Sequence, residues 1–263
     1  MLISVITPAY RPQPAFLAEA YQSLYEQVLP AGWEWEWLIQ ADGNEELPLP
    51  PAARDDPRVQ PASGPRSGPG TTRNLALERS TGTLIQNLDA DDILLPNALA
   101  NSINVLTEHP RIGWTTCRAL DLLPDGSLIS VDTDPPEGEL PRGSVFESWW
   151  ARNYALRVHP ATICIRRELL IAVGGWMALP IAEDIGMLLA VSTYAPGWFI
   201  GDVGLHYRKH PDQTTPSNTP KDVLDTRWRF LVERVEAIQT LLSQPGIRWP
   251  SEAEMRGGSS GLY

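Results

Sequence analysis

The stretch LIQNLDADDILLP, residues 84 to 96, places Asp89, Asp91 and Asp92 within four positions directly after an apolar run. Carboxylates this close repel one another, so the cluster needs either full solvation on a surface turn or an opposite charge among its members. An Asp-x-Asp spacing after a buried strand suits a hard divalent cation, Mn2+ or Mg2+, which takes oxygen ligands and shares them with phosphates. Two more polar groups close apolar strand-like runs: Thr7, Pro8, Ala9 and Tyr10 after LISVI, and Asp42 before Gly43. If the strands are parallel, all three groups fall on one rim, because ligands gather beyond the carboxyl ends of such strands.

The elements that must position these residues are legible from periodicity. LISVITPAY is a short buried strand, and PAFLAEAYQSLYEQ spaces Phe16, Leu17, Ala20, Leu24 and Tyr25 as a helix with Pro14 in its first turn. WEWEWLIQADG alternates Trp33, Trp35 and Trp37 with Glu34 and Glu36, which predicts a strand with the tryptophans on one buried face. Residues 44–57 read as a loop. TTRNLALERS reads as a helix capped by Thr71 or Thr72, GTLIQNL as the strand that delivers Asp89, and LPNALANSINVLTEHP as a further helix. The first 110 residues therefore run β-α-β-(β)-α-β-α, which predicts a parallel sheet flanked by helices. Beyond residue 110, LLPDG marks a hairpin, 132–142 an acidic, proline-rich loop, and VLDTRWRFLVERVEAIQTLLSQ a long amphipathic helix with Leu231, Val235, Ile238 and Leu242 on one face.

The chain has 263 residues with a formal net charge of −11 from 21 basic and 32 acidic side chains. This balance disfavours a nucleic-acid partner and a polybasic membrane surface, and means that an anionic ligand needs a cation or helix N-termini to offset the protein's own field. Cys117 and Cys164 are far apart and lack metal-ligand spacing, as expected of free thiols in a reducing compartment. No run approaches the length of a membrane span and the N-terminus lacks a signal peptide's basic region, so the expected location is cytoplasmic.

Taken in order, SVITPAYRP, ADG, TTRNLAL, LDADDILLP, VGGW with AEDIGM, and YRKHPDQTT resemble the motifs of family 2 glycosyltransferases of the GT-A fold, from residue 2 to about 217. The resemblance implies an α/β, Rossmann-like, mostly parallel sheet flanked by helices, with a smaller antiparallel acceptor-side portion and a C-terminal helix. On that basis 1–110 is the nucleotide-sugar-binding half, 111–217 the acceptor-binding and catalytic half, 218–250 the C-terminal helix and 251–263 a disordered tail. It also implies that Thr7, Pro8, Ala9 and Tyr10 wrap the nucleotide, that Asp42 meets the base, and that Arg73 and Asn74 lie near the base or phosphates. Asp89 would face the ribose and Asp91 would ligate the metal. Where the family often has Asp-Asp-Gly-Ser, this chain has Ala41-Asp42-Gly43-Asn44, which leaves the base open among UDP-, GDP- and dTDP-sugars.

The family's base position falls on Asp184, with Glu183 toward the acceptor or the backbone. In any helix such an acidic pair also suits the first turn, where it complements the macrodipole. His210 is a candidate metal or phosphate contact, and Arg208 or Lys209 could meet the diphosphate instead. His159 and Trp176 are candidate acceptor contacts, Trp176 through a flat indole face, with core packing as the alternative for each. The expected activity is metal-dependent, inverting transfer of a sugar from a nucleotide diphosphate donor to an acceptor hydroxyl on a small metabolite or envelope glycan. A non-catalytic nucleotide-sugar-binding module is the alternative. A nucleotidyltransferase is a weaker alternative, since it usually carries a Gly-rich, Lys- or Arg-containing loop after the first strand and only Arg11 is available there; a dinucleotide-dependent oxidoreductase would carry G-x-G-x-x-G where TPAYRPQ stands.

Overall fold

The computed structural model describes residues 1–130, 133–211, 213 and 219–244. The tail 251–263 and the threonines of the HPDQTT segment lie outside them. The strands are β1 (Leu2–Ala9), β2 (Glu34–Asp42), β3 (Val59–Gly64), β4 (Leu84–Asn87), β5 (Ile93–Leu94), β6 (Trp114–Leu122), β7 (Leu128–Ser130), β8 (Gly138–Leu140), β9 (Cys164–Arg166) and β10 (Gly197–Arg208). The helices are α1 (Pro14–Tyr25), α2 (Pro51–Arg54), α3 (Pro69–Arg79), α4 (Ala98–Glu108), α5 (Ser144–Ala151), α6 (Arg167–Ala172), α7 (Glu183–Tyr194) and α8 (Lys221–Leu242). A 3-10 turn spans Pro160–Thr162.

All ten strands join one sheet in the order β3-β2-β1-β4-β9-β6-β10-β5, with β7 on β6 and β8 on β10. Strands β3, β2, β1 and β4 are mutually parallel. β9 is antiparallel to both β4 and β6, and β10 is parallel to β6. It follows that β1, β2, β3, β4, β6 and β10 all point the same way. Their carboxyl ends form one rim, at Ala9, Asp42, Gly64, Asn87, Leu122 and Arg208.

The helices cover both faces, so the sheet is buried on two sides. One core gathers α1 and α4 against Val5, Trp35, Trp37 and Ile39; the other gathers α3, α5, α6, α7 and α8 against Ile6, Leu38, Ile85 and Trp114. Two-sided burial explains where the simple alternation in β2 fails. Trp35 and Trp37 are buried and Trp33 precedes the strand, but Glu36 is buried as well. Its carboxylate accepts from Ser4 Oγ at 2.6 Å, Thr81 N at 2.8 Å and Gln60 Nε2 at 2.9 Å. Burial alone would favour the neutral acid, yet these donors outweigh it and hold the Glu36 carboxyl below the usual range.

Other local differences have equally plain causes. Tyr21, not Tyr25, turns inward from α1, where its hydroxyl donates to Asp56 at 3.1 Å. α3 begins at Pro69 with Gly68 as its cap residue and no side-chain cap, because Pro suits a first helical position and Asp42 supplies the acceptor for the Gly68 N–H. Thr72, predicted as the cap, instead donates to Gly68 O at 2.8 Å from within the helix. The short elements α2, β5 and β8 carry too few residues for a periodic signal. Along α8, Leu231 and Val235 are buried, while Ile238 and Leu242 are half-buried.

Candidate active site

At the β1 and β2 ends, a cleft of about 220 Å³ is lined by Ala9, Arg11, Pro12, Ala41, Asp42 and Gly43 together with the segment 45–48. Asp42 Oδ1 accepts from Ser67 N at 2.6 Å and Gly68 N at 3.2 Å, which ties the 65–68 loop to the rim and places the carboxylate at the N-terminus of α3. Tyr10 is exposed, with the Arg66 guanidinium 4.4 Å over its ring. Pro8 is half-buried and Ala9 is buried.

Thr7, expected to wrap the nucleotide, is fully buried. Its hydroxyl donates to Leu88 O at 2.6 Å and accepts from Trp37 Nε1 at 2.7 Å. That side chain ties β1 to β2 and to the residue after β4 beneath the rim, and both its bonds are made within the protein.

Asp89, Asp91 and Asp92 leave β4 in three directions. Asp89 Oδ1 accepts from Arg73 Nη2 at 2.7 Å. Asp92 is fully buried, with Oδ1 accepting from Arg208 N at 2.9 Å and Oδ2 without a partner. Burial, reinforced by the charges of Asp89 and Asp91, pushes the Asp92 carboxyl well above the usual range. Asp91 lies between them, 28 % exposed, with Oδ2 2.8 Å from His210 Nε2. Its carboxyl is also raised, first by burial and then by Asp89. Arg208, beside His210, is spent inside the protein: Nε donates to Asp91 O at 2.8 Å, Nη2 pairs with Glu19, and the guanidinium lies 4.2 Å over Phe16. Lys209 pairs with Asp121 at 3.2 Å.

Asp91 and His210 would be the residues to hold a divalent cation, which would take the place of the bond between His210 Nε2 and Asp91 Oδ2. Among the described residues no group of three or more His, Cys, Asp or Glu side chains is arranged to hold a metal. With two protein ligands, the remaining positions would fall to phosphate oxygens and water. The buried His210 Nδ1 and Asp92 Oδ2, both unpartnered, mark this as a place where the protein's own polar groups are unsatisfied.

On the second core's side of the rim, α7 begins with Glu183 and Asp184. Ala182, the residue before it, takes the left-handed conformation (φ 63°), which costs a non-glycine residue about 1–3 kcal/mol and survives only where its surroundings impose it. They do so through α8, whose Arg227 donates to Ile181 O at 2.9 Å and whose Arg234 donates to Val173 O at 2.7 Å and Gly186 O at 2.9 Å. Asp184 Oδ1 accepts from Ile185 N at 2.7 Å. Burial, with the Glu183 charge beside it and Arg73 acting in opposition, pushes its carboxyl up to about 6. Glu183 is buried and accepts from Arg73 Nη1 at 2.8 Å.

Four further expectations meet a different arrangement. Arg73 is 5 % exposed and bonded to Asn87, Asp89 and Glu183, so its guanidinium lies inside the protein and not along a phosphate path. Asn74 donates to Trp176 O at 2.7 Å and accepts from Trp176 N at 2.9 Å, which fastens the Gly174-Gly175 turn to α3. Trp176 is 2 % exposed within the second core, so its indole presents no face to an acceptor. His159 accepts from Ala161 N at 3.3 Å through Nδ1, capping the 3-10 turn, and packs 4.5 Å from the Tyr207 ring. Burial, together with Lys209, lowers it to about 4 and holds it neutral at physiological pH. The α8 arginines were missed altogether. Their signal, cations spaced seven residues apart on the buried side of an amphipathic helix, becomes readable only once the loop they hold is known.

Residues 4–125 match the model of glycosyl transferase family 2. The protein y4gI of Sinorhizobium fredii (strain NBRC 101917 / NGR234) is 37 % identical over 265 residues, covering 95 % of this chain and 27 % of that protein. The O-antigen biosynthesis protein RfbC of Myxococcus xanthus is 27 % identical over 183 residues, covering 66 % of this chain and 13 % of RfbC. The chain thus spans about a quarter of the first relative and about an eighth of the second. Among solved structures, S. aureus TarS 1-349 in complex with UDP-GlcNAc superposes with a TM-score of 0.66 at 18 % identity, covering 97 % of this chain and 69 % of that one. A second structure of S. aureus TarS 1-349 gives 0.63 at 17 % identity, covering 97 % and 68 %. With its motifs, its matched segment and its sheet in agreement, residues 4–125 carry the glycosyl transferase family 2 pattern and the chain has the GT-A fold.

Proposed function

We propose that this chain transfers a sugar from a nucleotide diphosphate donor to an acceptor hydroxyl, with inversion at the anomeric carbon. The observation that carries the reading is the placement of two unlike carboxylate sites at the strand-end rim. One is the Asp91–His210 pair beyond β4 and β10; the other is Asp184 at the start of α7, raised to about 6. TarS, which shares the fold, is described in complex with UDP-GlcNAc and with UDP, which supports a nucleotide-sugar donor here.

In this reading the nucleoside lies in the cleft between Ala9 and Asp42, with the 65–68 loop and the N-terminus of α3 beside it. Asp91 and His210 would hold the divalent cation, Mn2+ or Mg2+, whose charge would offset that of the diphosphate as the glycosidic bond breaks. The acceptor oxygen forms the new bond to the anomeric carbon, its proton passes to an Asp184 carboxylate oxygen, and the bonding pair leaves with the nucleoside diphosphate. A carboxyl near 6 suits this task, because it is ionised at neutral pH yet more basic than an ordinary aspartate. One face for the base and another for the leaving group gives single displacement, hence inversion.

The test is calorimetric titration of the full chain with UDP, GDP and dTDP, each with and without Mn2+. Metal-dependent binding of one nucleotide that is lost in Asp91→Ala supports the donor site. Absence of binding under every condition by folded protein overturns it. Donor turnover by wild type that survives in Asp184→Asn would remove the base assignment while leaving the donor site standing.

A further inference from the structure

The proposed transfer step makes no use of Arg73, although its guanidinium is bonded on every nitrogen. Each of its three nitrogens is committed: Nε donates to Asn87 Oδ1 at 3.1 Å, Nη2 to Asp89 Oδ1 at 2.7 Å and Nη1 to Glu183 Oε1 at 2.8 Å. These partners come from the end of β4, the aspartate cluster that follows it, and the first residue of α7, 110 residues away along the chain. With the side chain 5 % exposed, the guanidinium is desolvated, so its attraction for the carboxylates is screened far less than at a surface.

The backbone is built to bring this about. One turn before Arg73, a Cβ on Gly70 would lie 2.1 Å from Met177 O and 3.2 Å from Glu183 Cβ, so only glycine lets α3 approach the α7 entrance this closely. Next to Arg73, Asn74 holds both backbone groups of Trp176. Three successive features of α3 are thus spent on fixing the segment that leads into Asp184.

We infer that Arg73 is a positioning residue: it locks Glu183 to Asp89, and thereby sets the place and charge environment of Asp184 relative to the donor rim. The inference rests on the reading of Asp184 as the base. Glu183 takes the cation directly, while Asp184, the next residue, keeps a single hydrogen bond to a backbone N–H. Adjacent carboxylates are thereby given different surroundings, which is how one of a pair is kept for proton transfer. Three charges act on Asp184: Glu183 from its own helix, Arg73 from α3 and Asp89 from beyond β4. Of the other elements packed on α7, α8 brings Arg227 and Arg234, both bonded to backbone carbonyls, and the 3-10 turn brings His159, held neutral by burial. α5 brings Glu147, and α6 brings Glu168 and Arg167, whose Nε donates to Ser80 Oγ at 3.2 Å.

The test needs no knowledge of the substrate. The full chain is labelled with carboxyl-13C aspartate, the Asp184 resonance is identified by its absence in Asp184→Asn, and its titration is followed by NMR. Arg73→Met is expected to move the Asp184 midpoint upward by roughly one unit or more, as loss of a neighbouring cation does. Glu183→Gln is expected to move it downward. Arg73→Lys keeps the charge but not the three-way geometry; it serves where Arg73→Met fails to fold, and is expected to shift the midpoint in the same direction by less. A folded Arg73 variant with an unmoved Asp184 midpoint overturns the inference. UDP titration with Mn2+ on the same variants separates the two readings. A phosphate contact would cost about tenfold or more in UDP affinity and leave the midpoint in place. Wild type that fails to bind any nucleotide would bring down the donor site while the Asp184 titration still decided the role of Arg73.

Discussion

His210 Nε2 lies 2.8 Å from Asp91 Oδ2, across 119 residues of chain, and this contact closes the gap between the last long strand and the aspartate cluster. Asp92 Oδ1 supports the same closure by accepting from the Arg208 N–H. The pair is assembled by the parallel course of β4 and β10 within one sheet, not by local sequence.

If that pair holds a cation, removing either side chain weakens nucleotide binding only when metal is present. Asp91→Ala and His210→Ala are each expected to lower Mn2+-dependent UDP affinity by about tenfold or more, with little change in metal-free titrations. Equal loss with and without Mn2+ would place both residues on the nucleotide and not on a metal.

Asp184→Asn keeps shape and removes the proton acceptor. Turnover is expected to fall by roughly 100- to 10,000-fold with nucleotide affinity retained, measured by single-turnover kinetics. In wild type, turnover should decline as pH drops through about 6, because the base is progressively protonated there. Stability follows the opposite sign. A carboxyl raised in the folded state contributes stability that is fully present below its unfolded value and is lost as pH rises through about 6. The Asp184→Asn protein should therefore lose less stability than wild type between pH 4 and pH 7, as read from urea midpoints.

Thr7→Val conserves shape but strands the Trp37 indole N–H and the Leu88 carbonyl. A cost of about 1–3 kcal/mol is expected, because a buried donor loses its partner. UDP affinity, referred to the folded fraction, should stay within about twofold if the side chain serves the strand ends alone. A much larger loss would return Thr7 to the nucleotide site.

Gly175 has φ 67°, and a Cβ there would fall 2.2 Å from Asn74 Oδ1. Gly175→Ala is expected to lower stability by about 1–3 kcal/mol, since it combines backbone strain with a clash. Because the same turn leads toward Ala182 and Asp184, turnover should fall further than nucleotide affinity does. Comparison of thermal unfolding, single-turnover rate and UDP titration on one preparation checks both statements.

Much of this protein was readable from local pattern. The apolar runs ending at Ala9, Asp42 and Asn87 follow from β-branched and aromatic composition, and so predict a parallel sheet with a polar rim. The order of the short motifs carried the family, since each marks a strand end or helix start whose position in the chain is set by the fold. A long amphipathic helix at the C-terminus was equally plain from its apolar spacing.

What each polar side chain does at the rim was decided only by the tertiary structure. Arg73, Asn74, Thr7 and Trp176 look like ligand-facing residues by position in a motif, but α3 packs Arg73 and Asn74 onto the α7 entrance, Trp176 is buried in the second core, and Thr7 is bonded to Leu88 and Trp37 beneath the rim. Sequence determines which residues sit at a strand end, because periodicity is local. It does not determine which of them remain exposed, because that depends on partners 14 to 119 residues away and on the close approach that glycines such as Gly70 permit. Hydrogen bonding between distant polar groups therefore separates those that support the rim from those left to meet a ligand.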